Sequence, residues 1–434
     1  MADVRDLARM LRELQDQLGV CMRCGMCQSV CPLYGETGRE ADVARGKLAL
    51  LDGLARELFH DPAGVEERMH RCLLCGSCAA NCPSGVRVLD IFIKARAILT
   101  GYQGLPVAKR LVLRGLLGRP RLFDRVLEWG ARAQDWIIRP ADETLGTSCA
   151  RFSFPFAAGR HLKALAERPF HQMVPAVDTA AGASGLKVAV FVGCLIDKIF
   201  PEIGRATLKV LDHHGVAVFL PENQACCGIP AVSAGDNTTF RKLVRHNLER
   251  FEEGSFDYLV TACATCTATI KQVWPMLFAG EKDRERRRVR ALAEKTLDIH
   301  QFLCRHVILP EVPRTRDGNQ EVVTYHDPCH LKKSLGVAAE PRRLIALNRH
   351  WMLKEMAQPD WCCGLGGSFN LEHYELSSGI GRRKRDQVAA TGCTVVATGC
   401  PACMLQLHDM LSRAHDRIRV KHAIELYAES LDEA

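Results

Sequence analysis

Several features are missing from this chain. Its first 20 residues, MADVRDLARMLRELQDQLGV, hold neither the apolar core of a secretory signal nor a small-residue cleavage site. The sequence is therefore expected to act in the cytoplasm, or peripherally on the inner face of the cytoplasmic membrane. No apolar run reaches the roughly 18 residues that a spanning helix needs. No Walker motif, flavin fingerprint or nucleic-acid recognition motif stands out. The composition, 47% hydrophobic and 25% charged, leaves no room for long disorder. The formal charge of +8 fits an acidic partner or a membrane surface. It also fits a protein that surrounds anionic thiolate clusters, and without a recognition motif nucleic acid is not expected.

What the chain has is cysteine. There are 21, and eighteen fall into regular groups. In a reducing compartment such groups read as metal ligands rather than disulfides. The first is Cys21-x2-Cys24-x2-Cys27-x3-Cys31-Pro32 and the second Cys72-x2-Cys75-x2-Cys78-x3-Cys82-Pro83. Both match the run that holds paired [4Fe–4S] clusters, in which three thiolates converge on one cubane and the fourth ligates the other. Cys21, Cys24, Cys27 and Cys82 are thus expected on one cluster, and Cys72, Cys75, Cys78 and Cys31 on the other. Zinc also uses C-x2-C pairs, but two tandem four-cysteine runs, each closed by proline, fit clusters better. Gly25, Gly76 and Ser77 permit tight turns between ligands and backbone N–H contacts to sulfur.

The expected class is α+β: a helical two-cluster domain over residues 1–100, a helical connector and linker over 101–186, and a duplicated α/β region over 187–310 and 311–434. Helical periodicity covers 41–65. Residues 105–138 read as an amphipathic helix packed on its own domain rather than as a docking surface for a partner or a membrane, and 170–186 as a linker. The first copy of the repeat reads as a strand at 188–192 ending at Cys194, a helix at 203–214 and a strand at 216–220. Cys226-Cys227-Gly228, a helix at 238–253, a strand at 258–261 and Cys263-x2-Cys266 follow. The second copy has a strand at 322–325, then Cys329, a helix near 341–347 and Cys362-Cys363-Gly364. A helix at 376–390, a strand at 394–397 and Cys400-x2-Cys403 complete it. Matching cysteines are offset by 135 (194 to 329), 136 (226 to 362) and 137 (263 to 400), which argues for duplication. Several cysteines fall at the carboxyl ends of strands, where parallel sheets bind ligands.

Each copy offers five cysteines, one more than a cubane or a zinc ion needs. Either one thiol is spare or the cluster is unusual; a redox disulfide and buried structural thiols are the weaker alternatives. His326, Asp327 and His330 flank Cys329 without counterparts at Cys194, and read as residues behind the ligands or at a helix start. Cys149, Cys304 and Cys393 lie outside the pattern and read as ordinary buried thiols. Gly364-Leu365-Gly366-Gly367 lacks the context of a nucleotide site and reads as a turn that lets backbone approach a cluster.

The doubled pattern of Cys, Cys-Cys-Gly and C-x-x-C resembles the cysteine-rich CCG domains of the heterodisulfide reductase B subunit. The same domains occur in the iron–sulfur subunits of lactate and glycerol-3-phosphate dehydrogenases. With two ferredoxin motifs in front, the whole resembles the glycolate oxidase iron–sulfur subunit family, a likeness strengthened by Ala44-Arg45-Gly46 and by Cys82-Pro83-Ser84-Gly85-Val86-Arg87. The resemblance implies a partner flavoprotein that carries FAD and oxidises glycolate or lactate, with this chain passing electrons towards quinone or another carrier. It also implies that Cys194, Cys226, Cys227, Cys263, Cys266, Cys329, Cys362, Cys363, Cys400 and Cys403 hold one or two further iron–sulfur clusters. The alternative it carries is a heterodisulfide-reductase-like catalytic subunit acting on a thiol or disulfide at the repeats.

Overall fold

A computed structural model of the chain describes residues 4–152, 159–180, 182–312, 318 and 320–431. Backbone contacts divide it into two units. Met1–Gly118, Gly228–Lys242 and Gly364–Gly381 form one; Arg119–Cys227, Leu243–Cys363 and Arg382–Ala434 form the other. Each Cys-Cys-Gly triplet therefore straddles a change of unit, its glycine opening a segment of the first.

The first unit is helical. Val4–Arg12, Ala44–Ala55, Pro62–His70 and Val88–Gln103 bury Leu7, Leu11, Leu51, Leu54, Met69, Ile91, Ala95 and Leu99. Periodic apolar positions on charged helices produce this core, and its burial holds the helices together. Short helices, Met26–Ser29, Pro32–Thr37 and Ser77–Ala80, alternate with the cysteines. Arg96 is buried within the unit. It donates to the Met69 carbonyl at 2.7 Å, the Cys72 carbonyl at 2.6 Å and the Ser233 carbonyl at 2.8 Å. One side chain thus fixes the long helix, the second cysteine motif and the inserted 228–242 segment.

The second unit carries the duplicated sheets. One runs in the order Val177–Asp178, Ala217–Leu220, Lys187–Val190, Tyr258–Thr261, Thr296–Asp298, parallel except at its first strand. The other runs Trp351–Leu353, Glu321–His326, Val395–Thr398, Arg419–His422, parallel throughout. Apart from the antiparallel edge, the two orders correspond strand for strand. The central strands are buried almost end to end, which is why they read as continuous apolar runs. Val323, Tyr325, Ile345, Trp351, Val395, Ala397, Ala423 and Leu426 form one core of the second copy.

The α+β class and the duplicated α/β halves are those read from the sequence, and the five expected strands form. Trp351–Leu353, Thr296–Asp298 and Arg419–His422 went unread because three or four residues, several of them charged or polar, give no period. Two other readings change. Residues 105–138 split into Val107–Arg110, a π-helix at Leu111–Leu117 and Pro120–Ile137. In Pro120–Ile137 Ala131 is buried and Phe123 and Leu127 are half-buried, while Leu122, Val126, Trp129 and Trp136 are exposed, so only part of its apolar surface is packed on its own domain. The connector also holds a three-stranded antiparallel sheet, Ile138–Asp142, Thr147–Ala150 and Leu162–Lys163. The expected linker at 170–186, of which residue 181 lies outside the described residues, contributes Phe170–Met173 and the edge strand Val177–Asp178. No helix among the described residues is long and apolar enough to cross a membrane.

Candidate metal centres

The two N-terminal motifs fold alike. Arg23 (φ 59°) and Leu74 (φ 54°) take the left-handed conformation at matching positions, and Gly25 (φ 86°) and Gly76 (φ 73°) do so before the short helices. Such alternation turns successive N–H groups towards one concavity, a geometry that receives anionic groups. Leu74 N–H points at the Cys72 Sγ and Val86 N–H at the Cys82 Sγ, both at 3.5 Å, and the Ser77 hydroxyl lies 3.4 Å from the Cys75 Sγ.

Two cavities result. One is lined by Cys21, Cys24, Cys27 and Cys82, and also by Cys78. The other is lined by Cys31, Cys72, Cys75 and Cys78. Each gathers three cysteines of one motif and the last cysteine of the other. Burial pushes the Cys31 thiol up to about 12 and the Cys78 thiol well above its ordinary value. Thiols this reluctant to ionise alone become thiolates when a cationic group binds them, so the donor sets fit metal clusters.

Sequence reading missed the cations beside them. Lys47 is buried and donates to the Asp42 carbonyl at 2.6 Å. Burial lowers its pKa, while Cys72, Asp42 and Cys31 pull it back up. Arg96 is affected likewise, lowered by burial and raised by Cys72. The available signal was a charged residue on the apolar face of a helical period. Gly366 (φ +57°) in the glycine-rich turn sits so close that a Cβ there would stand 3.2 Å from the Leu73 Cα, so that turn does approach a cysteine motif.

In the repeats the cysteines follow the carboxyl ends of strands, from two residues beyond for Cys263 and Cys400 to nine and ten for Cys362 and Cys363. Cys194 opens the helix Cys194–Lys198, Cys226 and Cys227 follow Ala217–Leu220, and Cys263 and Cys266 follow Tyr258–Thr261. Cys329, Cys362, Cys363, Cys400 and Cys403 occupy the corresponding places. Cys194 and Cys226 stand 3.8 Å apart. The Cys194 hydrogen bond, with Cys227 and burial, pushes the Cys226 thiol well up. Cys363 does the same to Cys403, whereas hydrogen bonding by Cys263 and Cys403 holds Cys400 well down. The two C-x-x-C turns meet: the Thr265 hydroxyl lies 3.4 Å from the Cys400 Sγ, and Ala264 N–H donates to the Gly399 carbonyl at 3.2 Å. In the second copy the donor atoms of His326, Cys363 and Cys403 lie within 4.8 Å of one another.

The three residues flanking Cys329 have different fates. Asp327 pairs with Arg342 at 2.7 Å and Lys332 at 3.2 Å, and His330 meets the Thr265 hydroxyl at 3.1 Å. His326 is buried, and neither ring nitrogen has a hydrogen-bond partner. Burial, with the Lys384 charge nearby, keeps its ring neutral and lowers its pKa to about 3 against opposing pulls from Asp327, Cys400 and the Pro359 carbonyl. Cys393 is buried as expected, but Cys149 and Cys304 are only half-buried.

Comparison with known proteins agrees with this anatomy. Residues 17–86 match the 4Fe-4S dicluster domain family, and residues 188–271 and 323–408 match the cysteine-rich domain family. A probable glycolate oxidase iron–sulfur subunit of Bacillus subtilis is 29% identical over 94% of this chain and 93% of its own length. A fumarate reductase (CoM/CoB) subunit from Methanothermobacter marburgensis is 26% identical over 94% of this chain and 71% of its own. Lactate utilization protein A of an Exiguobacterium species is 31% identical over 57% of this chain and 99% of its own. Fold and donor sets therefore define an iron–sulfur protein in which a dicluster domain precedes a duplicated cysteine-rich domain. The chain belongs to the glycolate oxidase iron–sulfur subunit family.

Proposed function

We propose that this chain is the electron-transfer subunit of a 2-hydroxy-acid dehydrogenase acting on glycolate or lactate. A partner flavoprotein carrying FAD oxidises the hydroxy acid to the 2-oxo acid, releasing two electrons and two protons. The chain conducts the electrons singly towards quinone or another carrier. One observation carries the reading: each N-terminal cavity gathers a crossed set of four cysteines, Cys21, Cys24, Cys27 and Cys82 in one and Cys31, Cys72, Cys75 and Cys78 in the other. Bound [4Fe–4S] clusters would supply reversible one-electron chemistry there. The cysteines bind, the backbone N–H groups point at sulfur, and Lys47 and Arg96 offset thiolate charge. The five cysteines of each repeat hold further iron–sulfur groups.

A second reading places thiol or disulfide chemistry at the repeats; the retention of all five cysteines in both copies favours it. Purifying the native complex anaerobically and identifying its flavin subunit and substrate tests the first reading. The hydroxy acid should reduce the complex, and Cys-to-Ser changes in either ferredoxin motif should stop electron flow while the flavin is still reduced. Normal quinone reduction by those variants would defeat it. An electron paramagnetic resonance signal that appears only with a thiol or disulfide would favour the second reading.

A further inference from the structure

The two repeats are copies, and strand register fixes which residues correspond. In the first sheet Val190 pairs with Val260 and Phe191 N–H bonds the Val260 carbonyl, so Phe191 stands beside Thr261. In the second sheet His326 stands beside Thr398. Each residue is three places before its repeat's opening cysteine, Cys194 or Cys329. The fold puts a side chain at this point in both copies, yet the two chemistries differ. Phe191 is buried and stacks on the Phe251 ring at 5.8 Å. His326 is 1% exposed, and both its ring nitrogens lack a hydrogen-bond partner. Leaving a buried polar group unsatisfied costs about 1–3 kcal/mol. An apolar ring fills the corresponding place in the first copy without that cost. An imidazole nitrogen lies within 4.8 Å of both the Cys363 and Cys403 thiols.

We propose that His326 is a direct ring-nitrogen ligand of the iron–sulfur group held by the second repeat, which makes the two repeat sites chemically unequal. The inference rests on the reading that this repeat binds such a group. Five cysteines are present in both copies, so an imidazole that takes one ligand place leaves one thiol of the second repeat off the group and the ligand set with one negative charge fewer; histidine ligation raises reduction potential in other iron–sulfur centres. The second site is then the better electron acceptor of the pair, and the asymmetry gives electrons a direction between two otherwise similar copies.

The test uses the full chain, purified anaerobically with 15N-labelled histidine, and compares it with His326→Phe, which copies the first repeat, and His326→Gln. Pulsed electron paramagnetic resonance of the wild type should show the strong hyperfine coupling of a metal-bound histidine nitrogen. Both variants should lose that coupling, and the centre's potential should fall. A second-repeat signal without histidine coupling, or a coupling that survives in His326→Phe, overturns the proposal. Should the variants lose the centre altogether, the wild-type coupling still decides. A separate control isolates the underlying reading: if Cys363→Ser removes no iron, the second repeat holds no cluster, and both fall together.

Discussion

The N-terminal motifs and the repeats bring cysteines together by opposite routes. In the motifs, three donors of each cavity come from one short stretch, 21–27 or 72–78, shaped by left-handed residues within it. In the repeats, the donors are spread over 194–266 and 329–403 and are united only at the ends of parallel strands. Exposure follows route. In the motifs Cys24 is exposed and all the others but the buried Cys75 are half-buried, whereas in the repeats Cys194 and Cys329 are half-buried and the other eight are buried. A site made from a surface loop keeps an open edge, suited to rapid exchange with a partner. A site made from sheet ends is enclosed and depends on the whole fold.

The largest expected effect tests the crossing that links the two motifs. Cys31→Ser should remove the centre of the Cys72 cavity and spare that of the Cys21 cavity, with a loss of about four iron atoms per chain. Iron and sulfide analysis with electron paramagnetic resonance reads the result. Loss of the Cys21 centre instead would break the crossed arrangement. Next comes Arg96→Ala. Three carbonyls, of Met69, Cys72 and Ser233, would lose a buried donor. We expect a loss of about 3 kcal/mol or more in anaerobic urea unfolding. An unchanged midpoint would mean that the local motif stands without its helical support.

A smaller effect belongs to the second unit. Burial raises the Glu425 carboxyl from its ordinary 4.5 to about 7, although it accepts the His422 N–H at 2.7 Å in a helix capping box. The folded state therefore holds a proton that the unfolded state has released. This contribution is full below about pH 4.5 and disappears as pH rises through 7, a change of about 3 kcal/mol. Glu425→Gln should flatten the pH dependence of stability between pH 5 and 8. A wild type whose stability rises over that range through this residue would contradict the sign.

Legibility in the sequence follows the same division. Cys21 to Cys31 and Cys72 to Cys82 were readable because their spacing is local, and the 135 to 137 offsets exposed the duplication. The strands that carry the cysteines were readable as apolar runs, except Trp351–Leu353 ahead of Cys362 and Cys363. Lys47 and Arg96 were not, because a single charge in a helical period is normally solvated, and only tertiary packing turns it inward. The amphipathic period of Pro120–Ile137 is real, yet amphipathicity does not say whether its apolar face is covered, and here Trp129 and Trp136 are 75% and 83% exposed. His326 was visible as a residue near Cys329, but its isolation from hydrogen-bond partners belongs to the fold alone.

The smallest effect separates the two repeats from each other. Gly228 (φ +93°) and Gly364 (φ +98°) close the paired triplets in nearly the same left-handed conformation. Alanine at either should cost about 1–2 kcal/mol for the backbone alone. Their surroundings differ. A Cβ at Gly228 would come 2.6 Å from the Phe240 ring, which can tilt away. A Cβ at Gly364 would come 2.6 Å from the Ser377 carbonyl oxygen, and that carbonyl belongs to the helix Tyr374–Ala389, which has to move as a body. The Ser377 hydroxyl also donates to the Gly364 carbonyl at 2.8 Å, so displacement strains a second contact. Gly364→Ala should therefore be the more destabilising by about 1 kcal/mol, read from paired thermal or urea unfolding curves. Equal losses would show that the left-handed backbone, common to both copies, sets the whole cost; a larger loss at Gly228 would mean that the Phe240 ring is more tightly held than the helix backbone.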